Sequence, residues 1–419
     1  MSKILIKNIK QLVGISDSAE LAQAFRGSRI SEINSVKNAY LSIIDGKISG
    51  WGSMDQLTTN PAIDSSIYQV LDAQDRIVLP GYVDSHTHLV FAATREQEFC
   101  DRIAGLTYEE IAARGGGILN SARRMKLAHE DELFEAAWKR LLKLISQGTT
   151  AIEIKSGYGL DLENELKMLR VIQRLKERSP ITIKRTLLAG HAYPLEFREN
   201  HEGYLQLVET QLVPAVATEG LADYIDVFCE KGFFSVEETA RIMDVGAKYG
   251  LKSKIHANQL HHSGGIEIGV QKGAISVDHC ECVGEKEIAA LKGSSTLATL
   301  LPGATFFLGI AYQPGRQMID AGLPIVLASD YNPGSCPSGN MNFVMSLACT
   351  QMKLTPAEAL NASTINAAHA LELGHRMGAI CKGYDANVLI TEPMEDYSVI
   401  PYSFGESRIE TVIVEGRIV

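Results

Sequence analysis

Eight short runs rich in β-branched residues recur through the middle of this chain, separated by stretches with helical periodicity, and this alternation restricts its fold more than any other feature. The runs are VDSHTHLV (83–90), TTAIEIKSG (149–157), ITIKRTLLAG (181–190), YIDVFCE (224–230), KSKIHAN (252–258), AISVDHCE (274–281), STLATLL (295–301) and PIVLASD (324–330). Amphipathic segments at 132–146, 163–178 and 235–249 lie between them, the last opening on the capping pattern Ser235-x-x-Glu238. Repeated β-α units predict an α/β fold with a TIM-type (β/α)8 barrel over residues 78–378, and such barrels place chemistry at the C-terminal ends of their strands.

The chain ends differ in kind. Residues 1–77 contain SIIDGKISGWG, where Asp45-Gly46 between two β-prone runs signals a two-residue hairpin. Residues 379–419 carry NVLITE, ETVIVEG and a terminal RIV. Neither piece has enough apolar surface to stand alone, so both are expected to pair into one small β-sandwich beside the barrel.

The first barrel run leads into His86-Thr87-His88, and residues two apart in a strand point to one side. A lone His-x-His is a weak signal, because a histidine closing a strand is as often an isolated polar side chain. Here His256, His279 and Asp330 also fall at or near the ends of β-type runs, and the coincidence favours a shared site. Imidazoles and a carboxylate at one barrel mouth suit a borderline cation such as zinc or iron with a position left open for water.

Forty basic against 50 acidic residues give a net charge of -10, which argues against nucleic acid and anionic membrane as partners. A small anion is still admissible, since screening over about 8 Å lets one nearby arginine outweigh the distant net charge. Seven scattered cysteines imply no disulfide framework and fit a reducing cytoplasm. The start MSKILIKNIKQLVG is interrupted by Lys3, Lys7 and Lys10 and does not read as a secretory signal. The longest apolar-looking stretch, 296–312, reads as strand and loop rather than a membrane span, because Pro302-Gly303 divides it.

The signature LPGYVDSHTHL, the single histidines of the fifth and sixth runs and the aspartate of the eighth resemble the amidohydrolase superfamily of metal-dependent hydrolases. THLVFAATREQEF, IEIKSGYGLDLENELKML, LLAGHAYP, KIHANQL, SVDHCE and LASDYNPGSCPS resemble, within it, the imidazolonepropionase family. That likeness implies a distorted β/α barrel with a sandwich from both chain ends. The implied reaction is hydrolysis of the cyclic amide of 4-imidazolone-5-propanoate to N-formimidoyl-L-glutamate in histidine degradation, by a metal-activated water. It further implies His86, His88, His256 and Asp330 as ligands of one zinc or iron(III) ion per chain, and His279 as the residue that orients and deprotonates water, with Asp330 sharing proton transfer. Arg95 would pair with the propionate of the substrate, imidazolone propionate, Tyr158 and His191 would contact its ring, and Asn332, Gly334 and Ser335 would hold substrate or opened product. Gln259 stands where some members carry glutamate; an amide cannot shuttle a proton, so it is assigned to substrate hydrogen bonding. Lys231 reads as an ordinary loop lysine, because the family resembled uses one metal. A homodimer is compatible with a barrel of this kind.

Two other readings are open. Another cyclic amidase or a deaminase of the superfamily would share the metal core but not Arg95 together with SGYGL and SDYNPGS. A non-catalytic interaction protein on the same fold would be expected to lack ligands. Several features read as structural: Cys280-x-Cys282 as core thiols, Gly115-Gly116-Gly117 as a flexible loop over the barrel mouth, and His261-His262 as a solvated loop. His129, His201, His369 and His375 are read as helical residues without a special role.

Overall fold

Strand pairing separates the chain ends from the middle. The computed structural model describes residues 2–59, 67–106, 110 and 116–419. The N-terminal part supplies β1 (Lys3–Ile15), β2 (Asn34–Ile44), β3 (Lys47–Ser53), β4 (Gln69–Asp72) and β5 (Ile77–Pro80). The middle supplies β6 (Tyr82–Asp84), β7 (Thr149–Lys155), β8 (Thr182–Gly190), β9 (Tyr224–Cys229), β10 (Lys252–Ala257), β11 (Ser276–His279), β12 (Leu297–Leu300) and β13 (Ile325–Leu327). The C-terminal part supplies β14 (Val388–Thr391), β15 (Ile409–Val414) and β16 (Arg417–Ile418).

The first and last groups share one sheet, in the order β16-β15-β14-β5-β1-β2-β3, with β4 also on β1. β14 runs antiparallel to β5, so the two chain ends complete each other's hydrogen bonds, as their small apolar content required. The eight strands of this sheet are hydrogen-bonded as one continuous unit. Asp45 and Gly46 both have positive φ, 49° and 78°, which is the primed turn that matches strand twist between β2 and β3.

The middle strands are parallel and lie in sequence order from β6 to β13. Helices Glu130–Ser146, Leu162–Arg178 and Val236–Lys248 connect them, and Ser235 caps the last by accepting from Glu238 N, with the reciprocal bond also made. Beyond their paired residues, β6 and β13 are drawn together by loop bonds: Ser329 N donates to Asp84 at 3.0 Å, Asp330 N to the His86 carbonyl at 3.0 Å, and His88 N to the Tyr331 carbonyl at 2.9 Å. These bonds put the His-x-His segment beside the strand-eight aspartate.

The barrel interior is layered. At one level Val83, Ala151, Tyr224, Leu297 and Val326 form an apolar cluster with the helix Ile365–Ala370. Above it, where such barrels usually carry branched apolar residues, lie Glu153, Lys155, Asp226, Lys254 and Asp278, all fully buried. Two sequence expectations are corrected here. Residues 296–312 form β12 and then the helix Pro302–Leu308, because proline at the first helical turn starts a helix rather than a loop. His375 lies in a turn outside any helix, and His129 is the N-cap of Glu130–Ser146 rather than part of it.

Candidate metal centre and substrate pocket

His86 and His88 follow β6, His256 is the penultimate residue of β10, and His279 ends β11. In parallel register His256 lies beside Asp278, so alternation aims Asp278, not His279, into the barrel. His279 escapes that alternation through a positive φ of 84°, whereas Asp330, four residues past the inward-facing Val326, keeps the phase of its strand. Backbone conformation, rather than strand period, therefore turns the His279 side chain into the mouth.

Ring centroids of His86 and His256 are 4.5 Å apart, and those of His256 and His279 5.3 Å. His88 Nε2 is 3.2 Å from His256 Nε2, and Asp330 Oδ1 is 3.5 Å from His86 Nε2 and 3.7 Å from His88 Nε2. Donors about 2.1 Å from a tetrahedral ion would stand about 3.4 Å from one another, so these spacings suit one cation. His86 Nε2 is buried with no hydrogen-bond partner among the described residues, while its Nδ1 donates to Asp278 Oδ2 at 2.7 Å, fixing the tautomer that offers Nε2 as a lone pair. His256 Nδ1 lies 2.9 Å from Asp226 Oδ2, off the line of a good hydrogen bond, and serves the same end as an ion contact. Among the described residues His88 Nδ1 has no hydrogen-bond partner, and none of them fixes its tautomer from that side. Burial holds the pKa values of all three imidazoles well below the ordinary range, which keeps them neutral and able to ligate.

The ionic layer beneath explains how the ligands are held. Lys155 Nζ donates to Glu153 and to Asp226, each at 2.7 Å, and lies 3.6 Å from Asp278; Lys254 pairs with Glu153 and donates to the Ser85 carbonyl at 2.8 Å. Burial opposes charge on Lys155, but Asp226, Glu153 and Asp278 outweigh it and its pKa is raised. Three carboxylates face two ammonium groups, and the excess negative charge lies directly under the donor cluster, which also favours a cation above. Lys155→Met would leave buried carboxylates uncompensated and is expected to lower stability by about 3–5 kcal/mol. A urea midpoint equal to that of the parent would show that the layer does not depend on this cation.

His279 is held from the other side. Its Nδ1 lies 3.4 Å from Glu281 Oε1, which also accepts from Gln313 at 2.9 Å and Thr305 at 3.3 Å. Burial works against protonation of His279, yet Glu281, Asp330 and Asp278 outweigh it and the pKa is raised. Burial raises the Asp330 carboxyl to about 6; Ser335 Oγ donates to its Oδ2 at 3.2 Å.

A cavity of about 400 Å³ opens over this cluster and is lined by His88, His256, His279 and Asp330 together with Arg95, Tyr158, His191, Gln259, Asn332, Gly334 and Ser335. His86 lies beneath the lining. SGYGL is shaped by Glu165, whose carboxylate accepts from Gly157, Gly159 and Leu160 N at 3.0, 2.7 and 2.9 Å and so presents Tyr158 5.3 Å from the His191 ring. His191 Nδ1 donates to the Gly157 carbonyl at 2.8 Å and burial lowers its pKa to about 4, leaving Nε2 as an acceptor. Glu230 accepts from Leu260 N at 2.9 Å and shapes the loop that carries Gln259.

Asn332 lines the cavity but has no spare capacity. Its Oδ1 accepts from Gly334 N and Ser335 N, both at 2.7 Å, and its Nδ2 donates to the Asp330 carbonyl at 2.6 Å and Ser335 Oγ at 2.7 Å. A substrate contact through this amide would break one of those bonds. Gly334 lets the Arg95 guanidinium come close, since a Cβ there would lie 2.2 Å from Arg95 Nη1 and would push it aside.

Sequence reading missed Glu98, which is buried and accepts from Arg95 Nε at 2.8 Å, from Gly117 N at 3.1 Å and from Asn120 at 3.1 Å. It also missed Arg102, Glu281 and the ionic layer. The signal available was a set of charged residues inside otherwise apolar runs: Glu153 and Lys155, Asp226, Lys254 and Asp278. Among the structural readings, Cys280 is a buried core thiol, whereas Cys282 is only partly buried beside the Gln259 carbonyl. His261 and His262 are exposed, though paired with buried Glu230 and Glu287. Lys231 is exposed in the loop after β9. Of the triple glycine, Gly115 lies outside the described residues; Gly117 is buried with φ 80°.

A profile of the amidohydrolase family matches residues 77–419. An imidazolonepropionase of Flavobacterium johnsoniae is 50% identical over 99% of each chain, and one of Christiangramia forsetii 47% over 99% of this chain and 100% of that protein. An imidazolonepropionase of a Geobacillus species is 37% identical over 100% of this chain and 98% of its own. Among solved structures, E. coli guanine deaminase superposes with a TM-score of 0.73 at 14% identity over 100% of this chain and 99% of that one, a likeness of fold.

Proposed function

This chain belongs to the amidohydrolase family, and within it to the imidazolonepropionases, and from that membership we propose that it hydrolyses the cyclic amide of 4-imidazolone-5-propanoate to N-formimidoyl-L-glutamate. The observation that carries this reading from family to substrate is the joining, in one cavity, of a metal-type donor cluster with guanidinium groups suited to a carboxylate arm.

His86, His88, His256 and Asp330 would hold one zinc or iron ion per chain, and an ion of that kind supplies water that ionises near pH 7. His279, with Nδ1 toward Glu281, accepts the proton of the attacking water at Nε2 and returns it to the ring nitrogen as the C–N bond breaks. Asp330 shares that transfer, being buried and oriented by Ser335. The His191 Nε2 acceptor receives a ring N–H, while Tyr158 and Gln259 hydrogen-bond the ring and its carbonyl. Asn332 and Gly334 keep the loop after Asp330 in the form that admits Arg95. Seven free thiols support a cytoplasmic setting; no helix of the described residues is long and apolar enough to cross a membrane.

The test is an assay of the purified protein on freshly prepared imidazolone propionate, with elemental analysis of the same sample. Ring opening with one metal ion per chain is expected. Ammonia release from a purine, with the imidazolone left intact, would instead establish a deaminase.

Arg95→Met is expected to lower kcat/KM for this substrate by about 30-fold to several thousand-fold, about 2–5 kcal/mol, with metal content unchanged. Part of that loss comes from Glu98, which the change would leave without its cation inside the pocket. Unaltered turnover would remove Arg95 as the carboxylate contact.

A further inference from the structure

Arg95 and Arg102 stand at the start and in the last turn of one helix, Glu96–Ile103, seven residues apart and so on one face. Both line the substrate cavity, and both converge on Gly334: Arg102 Nη2 donates to its carbonyl at 3.1 Å, and its Cα lies against Arg95 Nη1. Their charges are not matched alike. Glu98 accepts from Arg95 Nε and Nη2, so that guanidinium already has a carboxylate. Among the described residues no carboxylate forms an ion pair with Arg102; its guanidinium carbon also lies 5.0 Å from the centre of the Phe307 ring. One carboxylate therefore serves two cations in a partly apolar pocket, and like charges brought together out of water disfavour each other until an anion joins them. Burial and the Arg95 charge weaken the hold of Arg102 on its proton, and the nearby Glu98 carboxylate offsets this only in part.

We propose that Arg102 is a second substrate-binding arginine, supplying a positive charge that no carboxylate among the described residues pairs with and that selects a ring whose side arm ends in a carboxylate. The proposal rests on the reading of function above and deepens it: Arg95, tied to Glu98, gives the geometry of the arm, and Arg102 gives the charge. Neither the β-α pattern nor the His-x-His segment points to it, because it depends on Glu98 having settled on Arg95.

The experiment compares the parent with Arg102→Met and Arg102→Lys on two substrates, imidazolone propionate and the same ring with its arm as a neutral primary amide. Arg102→Met is expected to raise KM for the carboxylate substrate on the order of 10- to 100-fold with kcat nearly unchanged, since the charge acts on binding and not on the reacting bond. The amide substrate should show little change, and Arg102→Lys should recover part of the loss by restoring charge without the planar fork. Equal losses on both substrates would mean that Arg102 merely supports the Gly334 loop, and an unchanged KM for the carboxylate would mean that it does not meet the arm; either result overturns the proposal. If the parent itself fails to open imidazolone propionate, it is the functional reading that falls, and that outcome is seen before any variant is made.

Discussion

Alanine at His86 or at Asp330 is expected to leave the protein without bound metal and to reduce hydrolysis by at least about 10⁴-fold, on the order of 5 kcal/mol of barrier. The His86 change does double damage, because it removes a donor whose Nε2 has no partner among the described residues and also takes from Asp278 Oδ2 the hydrogen bond of Nδ1. The Asp330 change removes the carboxylate donor of the cluster and its bond from Ser335. Elemental analysis beside the activity assay checks both. Two metal ions per chain in the parent, or full activity in metal-free variants, would end the single-ion mechanism.

His279→Ala should behave differently. It is expected to retain most of the metal while kcat falls by roughly 10²- to 10⁴-fold, the scale for removing a positioned acid or base. The reason lies in its surroundings: Glu281 holds its Nδ1, and the remaining donors His86, His88, His256 and Asp330 already have spacings that suit one ion. The acid limb of the kcat profile should disappear with it, whereas KM should change little. Metal loss in step with activity would make His279 a ligand beside His86 and His256, whose ring nitrogens lie close to its own.

Much of this arrangement is legible in the chain because strand and helix periods are local. YIDVFCE and KSKIHAN carry the β-branched and apolar content of buried strands, and both form strands, β9 and β10, within a residue of their ends. The hairpin at Asp45-Gly46 follows from two residues that tolerate positive φ. The helix at Pro302 escapes such reading because an apolar stretch with threonines fits strand and helix alike, and the deciding fact is where the chain has to turn after β12.

The sequence by itself determined the eight β-α repeats, the pairing of the two ends, and the identity of the residues at the barrel mouth, since each follows from patterns a few residues long or from motifs that stand unbroken in the chain. Only the tertiary structure decided which way those residues face and which charges meet. Positive φ at His279 overrode strand alternation, Asn332 spent its amide on its own loop, and Glu98 took Arg95 while Arg102 kept its charge. Lys155 and Lys254 found carboxylates on other strands, some of them more than seventy residues away. Such pairings depend on distance in space and on the cost of leaving a buried charge alone, and neither quantity is written in the order of residues along the chain.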